Sequence, residues 1–374
     1  MTTAISRPCS LAGCSSSPDP VGTCQNPSVS KAAALVMLAL VGCGRIGFDL
    51  VVGDATRGGT GDGLGGDGPP ATATSCVGLA NTCGPTGTGS CCDSPVVPGG
   101  SFARSYDVSS DGMYPDSRFA ATVSAFRLDK YEVTVGRFRQ FVAAGMGTQA
   151  SPPISGAGAH PNIAGSGWDA TWNGRLVTDT AALVAGVKCD ATFQPWTDAP
   201  GGNESRPINC VTWYEAMAFC AWDGGFMPTE AEWNYAATGG SEQRAYPWSS
   251  PPGSLTIDGS YASYWDGTNC VGDGLPGCAP TDLLVVGTKP AGDGRWGQSD
   301  LGGNIYEWAL DWYASPYAQN PCTDCANLTP ATLRAFRGGN FSNASPTLRA
   351  ANRVGFMPST RILLMGIRCA RSAT

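Results

Sequence analysis

The cysteines are the residues of this chain with the widest range of chemistry, because a thiolate can bind a soft metal, attack a substrate or form a disulfide. The chain has sixteen of them, yet none lies between Cys325 and Cys369. Just before this gap, Cys322 and Cys325 form a C-x-x-C pair, a pattern that can bind Cu(I) or act as a redox couple. The surrounding loop is rich in Pro and Asn, which favours a local disulfide if the chain is exported.

Histidine chemistry is limited to one residue, His160. A single imidazole excludes metal sites built on two or three histidines and leaves any Ser-His or Cys-His dyad dependent on this position. His160 lies in SGAGAHPN, a Gly- and Ala-rich stretch without a nearby acid. We therefore expect a solvated loop histidine.

Two pairs of carboxylates have spacings that invite a functional interpretation. Asp300 and Glu307 flank a Gly-Gly-Asn turn in DLGGNIYE, where carboxylates and backbone carbonyls could together bind Ca2+. From spacing alone, however, a turn leading into an aromatic strand is favoured over a calcium site. Glu230 and Glu232 resemble a catalytic acid pair, but they stand at a predicted helix start, where capping is the simpler role.

Composition restricts the class of protein. The 374 residues carry a net charge of -7, and only 14% of them are charged. An acidic chain of this kind is not expected to bind nucleic acid, which requires clustered Lys and Arg. With 51 glycines and 34 residues of Trp, Tyr and Phe, the fold should consist mostly of turns around an aromatic core.

The first 75 residues predict export and a tether. Residues 31–43 read KAAALVMLALVGC, a Lys followed by an apolar run that is too short to span a bilayer but suits a secretory signal. LVGC resembles a lipobox, so residues 1–42 are predicted to be a leader and Cys43 a lipidated residue; a disulfide-bonded Cys43 is the alternative. Residues 43–75 are rich in Gly and Asp and should form a flexible tether.

A compact cysteine-rich segment follows at residues 76–95. Four cysteines fall within it, at positions 76, 83, 91 and 92. The C-x6-C-x7-C-C spacing is unusual for zinc, so a small knot with two disulfides is favoured. Beyond the predicted leader and Cys43, twelve cysteines remain, an even number that suits a disulfide framework in an exported protein.

Residues 96–374 are predicted to form one globular domain with three helices. Thr134, Thr212 and Thr229 are placed to be their N-caps, and the last two have Glu three residues later, which completes a capping box. Apolar residues recur at helical spacing after each cap, and Gly145 and Gly239 are placed to end the first and third helices.

Seven stretches of this domain, taken in order, resemble the sulfatase-modifying-factor, or formylglycine-generating-enzyme, domain. They are DKYEVTVGRFRQFV, RPINCVTWYEAMAFCAW, MPTEAEWNYAATGG, YPW, DLGGNIYEWALDWY, FRGGNF and GIRCA. The resemblance implies an α+β, C-type-lectin-like fold with little regular secondary structure, linked by disulfides.

The resemblance also implies a disulfide between Cys220 and Cys369, which occupy the family's matching positions. Cys270 with Cys278 and Cys322 with Cys325 are close enough in sequence to pair locally. Cys189 with Cys210 is the pair that remains.

Two structural calcium sites follow from the same resemblance. The first comprises side chains of Asp300 and Glu307 with the carbonyls of Gly303 and Ile305. The second, which maps less closely because Ser263 stands where the family usually has Asn, comprises Ser263, Tyr264, Asp273 and Leu275. Ca2+ is thus the expected cofactor, with a bracing role.

Copper is not expected. Family members that make formylglycine bind copper through two cysteines a few residues beyond the Gly-Gly of the RGG motif, because paired thiolates hold soft Cu(I). Here Asn343 and Leu348 stand at about these positions, in a segment a few residues shorter. The domain is therefore expected to keep the fold and lack the copper centre.

Three functions compete on these grounds. The favoured hypothesis is a lipid-anchored module of the cell envelope, facing away from the cytoplasm, that binds a peptide or glycan or acts as a scaffold. The alternative is a formylglycine-generating oxidase with an unrecognised copper site. A different enzyme would rely on the groove residues Asn340, Asn343, Ser345, Arg349 and Arg353, for which structural hydrogen bonding and carboxylate pairing are the favoured roles.

Overall fold

The computed structural model describes residues 73–373, which form four α-helices and ten short strands joined by long loops. The helices are α1 (Val135–Ala143), α2 (Thr180–Gly186), α3 (Trp213–Trp222) and α4 (Glu230–Thr238). The strands are β1 (Val96–Val97), β2 (Gly100–Ala103), β3 (Ala120–Val123), β4 (Phe126–Leu128), β5 (Tyr306–Trp312), β6 (Cys322–Thr323), β7 (Arg334–Arg337), β8 (Val354–Phe356), β9 (Met365–Gly366) and β10 (Ala370–Ser372). Predicted Cys43 and residues 43–72 of the predicted tether lie outside the described residues. The last three tether residues, 73–75, are described, and Ser75 is buried against the domain. None of the helices described is long and apolar enough to cross a bilayer.

Three small sheets hold this part of the chain together. Their strand orders are β1-β4-β10, β2-β3-β6 and β8-β7-β5-β9. In the largest sheet β5 pairs antiparallel with β7 and parallel with β9, and all of its residues except Trp312 are buried. Its sequence, YEWALDW, places large apolar residues at alternate positions. The buried acids between them accept hydrogen bonds, Glu307 from Trp233 Nε1 and Asp311 from the Glu230 amide.

Helix capping agrees with the sequence prediction. The Thr134 side chain accepts a hydrogen bond from the Arg137 amide, and both predicted capping boxes, Thr212 with Glu215 and Thr229 with Glu232, are formed. Gly239 ends α4 in the left-handed conformation at φ 65°. Helix α2 was not predicted, although its N-cap, Asp179, accepts from the Ala182 amide in the usual way.

The core is aromatic, as the composition indicates. Its largest cluster surrounds α1 and α3 and includes Trp168, Trp213, Trp308 and Phe138, each at most 1% exposed. Indole N–H groups in this core donate to backbone carbonyls, Trp213 to Ala309 at 2.8 Å and Trp308 to Val211 at 3.2 Å. These two donors are therefore satisfied, whereas Nε1 of Trp196 in the same cluster is buried without a partner among the described residues.

Six disulfides cross-link the described residues. The four predicted pairs are formed: Cys220–Cys369, Cys270–Cys278, Cys322–Cys325 and Cys189–Cys210. The cysteine-rich segment is the predicted knot, with bonds Cys76–Cys92 and Cys83–Cys91. This number of disulfides indicates an oxidising compartment outside the cytoplasm.

The knot is fastened to the body of the domain by buried polar contacts. The Ser75 amide donates to Asp223 Oδ1 at 2.7 Å, and Arg137 Nε donates to Ser75 Oγ at 2.9 Å. The Gly84 amide donates to the Val286 carbonyl at 3.0 Å. The segment therefore packs as part of the globular body.

Candidate functional site

We call residues 338–353, which follow β7, the groove. It begins with two glycines in backbone conformations that other residues rarely adopt. Gly338 has φ 102° and Gly339 has φ 73°. A side chain on Gly339 would also collide with Leu348, because a Cβ there would lie 2.8 Å from Leu348 Cδ1. The RGG motif thus permits a sharp turn and a close approach of residues 339 and 348.

Asn343 is held by hydrogen bonds within this groove. Its Oδ1 accepts from Asn340 Nδ2 at 2.8 Å, its amide donates to the Asn340 carbonyl at 3.0 Å, and its carbonyl accepts from the Trp265 amide at 2.8 Å. An amide that is engaged in this way orders the loop. It provides no soft donor for a metal.

Leu348 is fully buried and belongs to an apolar cluster with Tyr246, Trp248, Ala262 and Tyr264. This part of the groove is therefore apolar core, at about a position where the resemblance places a copper thiolate. The leucine side chain neither binds a metal nor reacts.

The two arginines of the groove are paired with carboxylates, as expected. Arg349 Nη1 lies 2.9 Å from Asp107 Oδ2, and its other nitrogen pairs with Asp111. Arg353 donates to both oxygens of Glu230, at 2.5 and 2.7 Å. These contacts account for both positive charges without a ligand.

His160 is buried, so the prediction of a solvated loop histidine was wrong. It is 5% exposed, and its Nε2 lies 2.9 Å from Glu232 Oε1. Because the Asn162 amide donates to Nδ1, the neutral ring carries its proton on Nε2 and donates it to the carboxylate. The partner is 72 residues away, which the local Gly- and Ala-rich sequence could not reveal. The contact is structural, since Glu232 also caps α4.

The first predicted calcium set lies where the loop enters β5. Asp300 Oδ2 accepts from the Gly287 amide at 2.6 Å, while the Gly303 and Ile305 carbonyls accept no hydrogen bond from the described residues. Glu307 is shared: Arg368 donates to both its oxygens, and Trp233 Nε1 donates to Oε2 at 2.6 Å. Asp300 and the two carbonyls thus keep free lone pairs for a hard cation.

The surroundings of this set contain more buried acids than cations, a grouping that residue spacing alone does not reveal. Burial, and then the charge of Asp300, raise the pKa of Glu132 well above its ordinary value. Burial also raises the pKa of Asp300 to about 6. Glu132 Oε2 is buried without a partner among the described residues. Arg368 is the cation beside Glu307, Glu132 and Asp300. A divalent cation would offset this excess, so the residues fit calcium.

No three side chains of His, Cys, Asp or Glu within residues 73–373 are grouped so that they could hold a metal by themselves. A cation at Asp300 would therefore depend on the backbone carbonyls of Gly303 and Ile305, which is an arrangement typical of Ca2+.

In the second predicted set, oxygens of Ser263, Tyr264 and Asp273 are engaged in hydrogen bonds within the protein. The Ser263 hydroxyl donates to the Asp282 carbonyl at 2.6 Å, and the Tyr264 carbonyl accepts from the Val271 amide at 2.8 Å. Asp273 accepts from the Leu275 amide and from the Thr281 hydroxyl. Calcium at this second set, which includes Leu275, remains a prediction.

Comparisons with known proteins agree with this geometry. The model of the "Sulfatase-modifying factor enzyme 1-like domain" matches residues 80–373, beginning inside the knot. The chain belongs to the sulfatase-modifying factor family. This membership places the seven motifs in one domain and confirms the fold that the resemblance implied.

Some relatives in this family are named formylglycine-generating enzymes, and others are named inactive. The chain is 30% identical over 297 residues to a formylglycine-generating enzyme of Streptomyces coelicolor, covering 74% of this chain and 88% of that one. It is 25% identical over 301 residues to "Inactive C-alpha-formylglycine-generating enzyme 2" of Bos taurus, covering 77% and 90%. Among solved structures, PvdO from Pseudomonas aeruginosa superposes with a TM-score of 0.52 at 22% identity, covering 74% and 93%, which supports the fold alone.

Proposed function

We propose that this protein is a non-catalytic member of its family: an exported, lipid-anchored module that binds a ligand or scaffolds a partner at the cell envelope, a pseudoenzyme braced by calcium. The observation that carries the proposal is the groove, where an ordered amide and a buried leucine stand at about the positions of the copper thiolates. The chain is similar both to relatives named as formylglycine-generating enzymes and to relatives named inactive, so the proposal rests on the groove.

Copper binding provides the direct test. The purified protein, with its six disulfides intact, should bind no stoichiometric Cu(I) in titrations against a competing chelator, because the described cysteines are all oxidised. The Cys322→Ser/Cys325→Ser variant is the matched control, since copper captured by accidental reduction of this pair would disappear in it. Tight equimolar binding that persists in the variant would overturn the proposal.

Catalysis is tested separately, with a sulfatase-type CxPxR peptide and copper. We expect no loss of mass at the peptide cysteine, whereas the Streptomyces coelicolor relative serves as the positive control. Conversion by this protein would establish the alternative, a formylglycine-generating oxidase.

Calcium at the Asp300 set would brace the loop before β5 without taking part in chemistry. After dialysis against a chelator, Ca2+ at about one hundred times its Kd should raise the free energy of unfolding by about 2.7 kcal/mol, as mass action requires. Asp300→Asn should abolish this gain, because it removes the charge and still accepts from Gly287. Asp258→Asn, at an exposed loop position, is the control and should keep the full gain. A wild-type protein indifferent to calcium would contradict the assignment.

The lipid anchor is proposed from the LVGC motif alone. Mass spectrometry of the mature N-terminus should identify an acylated Cys43 as the first residue. An unmodified N-terminus would remove the anchor from the proposal and leave the groove argument unchanged.

A further inference from the structure

A second concave site lies at the far end of β5, away from both the groove and the calcium set. It is a cleft of about 470 Å³ between the short helix Ala170–Arg175 and the strands β5 and β7, and we call it the Arg334 cleft. The calcium set reaches into β5, because Glu307 is the second residue of that strand, whereas Leu310 and Trp312 line the cleft near its end. The three-residue step from Glu307 to Leu310 separates the two sites by about 10 Å. The volume suits a small ligand or one or two sugar rings.

The inner wall of this cleft contains a buried cation without a carboxylate partner. Arg334 is 1% exposed and forms no ion pair with any described residue. Its Nη1 donates to the Leu310 carbonyl at 2.5 Å, and its Nε has no hydrogen-bond partner among residues 73–373. Burial accordingly lowers the pKa of Arg334 to about 9. Arg104 is likewise buried without an ion pair, but its Nε and Nη2 donate to the carbonyls of Phe119 and Gln319, whereas Nε of Arg334 has no acceptor. The remaining buried arginines described here are paired with acids.

Aromatic rings cover the faces of this guanidinium, and of its nitrogens only Nη1 has a hydrogen-bond acceptor in the described part of the chain. The Arg334 Cζ atom lies 3.6 Å from the centroid of the Trp213 ring and 3.8 Å from that of Trp312. Stacking of this kind stabilises the cation but satisfies none of its N–H groups. Because the donors of arginine lie in the guanidinium plane, they are oriented to bind a planar anion such as a carboxylate.

The remaining walls combine aromatic rings with polar groups. Trp172 and Trp312 are half-buried, and neither indole N–H has a hydrogen-bond partner in the described part of the chain. The rim of the cleft is exposed and polar, and it includes Thr171, Asp169 and Arg175. The charges of Asp169 and Arg175 offset each other. Rings that pack on C–H faces, beside groups that hydrogen-bond hydroxyls, favour a sugar over a purely apolar acid.

We propose that the Arg334 cleft binds a sugar ring that carries a carboxylate, with Arg334 holding the carboxylate and the tryptophans covering the ring. The inference rests on the proposed binding role and names its ligand class. A carboxylate would supply the hydrogen-bond acceptors and the negative charge that the fold does not give to Arg334.

Titration of the purified chain with D-glucuronate tests the proposal, with tryptophan fluorescence and calorimetry as readouts. D-glucuronate should bind saturably, and both D-glucose and phenylacetate should bind at least about tenfold more weakly, because each lacks one half of the recognition. Saturable binding with this order supports the proposal. No saturable glucuronate binding, equal binding of glucose, or tighter binding of phenylacetate would overturn it.

Two variants locate the binding. Arg334→Met keeps the stacking volume and should lower the affinity for D-glucuronate by about tenfold or more. Thr171 is exposed at the rim, so Thr171→Trp should block the entrance of the cleft and lower the affinity for D-glucuronate. This variant tests the cleft even if Arg334→Met fails to fold. Thr268→Trp, at an exposed loop position outside the cleft, should bind as the wild type does. Full affinity in Thr171→Trp would place the ligand elsewhere and overturn the proposal. Copper binding in the groove would overturn the proposed function yet leave these titrations unchanged.

Discussion

Replacing Arg368 with methionine should lower the free energy of unfolding by about 3–5 kcal/mol, the usual loss when one partner of a buried ion pair is removed. Arg368 is fully buried and donates to Glu307, to the Ser299 carbonyl at 2.8 Å and to the carbonyls of Asp129 and Lys130. Its removal strands the Glu307 charge beside Glu132 and Asp300. Denaturant unfolding with the disulfides intact measures the loss.

The control for this substitution is Arg118→Met, because the Arg118 side chain is 81% exposed and pairs with Asp116 at 2.8 Å on the surface. It should change stability by less than about 0.5 kcal/mol. Adding Glu307→Gln to Arg368→Met should recover part of the loss, since the stranded charge disappears. Equal effects of Arg368→Met and Arg118→Met would show that the buried pair does not support the fold.

Removing the Cys220–Cys369 disulfide should be about as damaging. The bond closes a loop with a sequence separation of 149, for which the chain-entropy model gives about 5 kcal/mol. The matched variant Cys322→Ala/Cys325→Ala opens a separation of only 3, for which the same model gives about 2 kcal/mol.

Guanidinium unfolding of Cys220→Ala/Cys369→Ala and Cys322→Ala/Cys325→Ala provides the comparison. Three of the four cysteines are buried and Cys325 is half-buried, so the contrast depends mainly on loop length. Equal losses in the two variants would refute the entropic explanation and point to local packing instead.

Structural features that depend only on residues close together in the sequence could be predicted. The capping boxes at Thr212 and Thr229 need only a spacing of three residues, and the bonds Cys270–Cys278 and Cys322–Cys325 need only proximity in sequence. The overall architecture and the Cys220–Cys369 bond were instead expectations from family resemblance. The motif order supported them, whereas periodicity alone would not have.

Features that depend on distant partners were missed. The burial of His160 depends on Glu232, which is 72 residues away in sequence. The lack of a carboxylate partner for Arg334 is likewise visible only in three dimensions. Glu132 could have been suspected, since it is an acid inside the apolar stretch YEVTV. Its closeness to Asp300 and Glu307, however, is a property of the fold.

The position of Arg368, Cys369 and Arg371 at the centre of the structure has a consequence for how the fold is reached. During synthesis Asp129 emerges from the ribosome long before Arg371, its ion-pair partner 242 residues later. Cys220 likewise cannot form its disulfide until Cys369 has emerged. Residues 126–128 likewise wait for β10 to complete their sheet. The nascent domain therefore cannot complete its core before its last residues are synthesised. A polypeptide that stays unfolded during translation suits passage through a membrane pore, with oxidation and closure following on the other side.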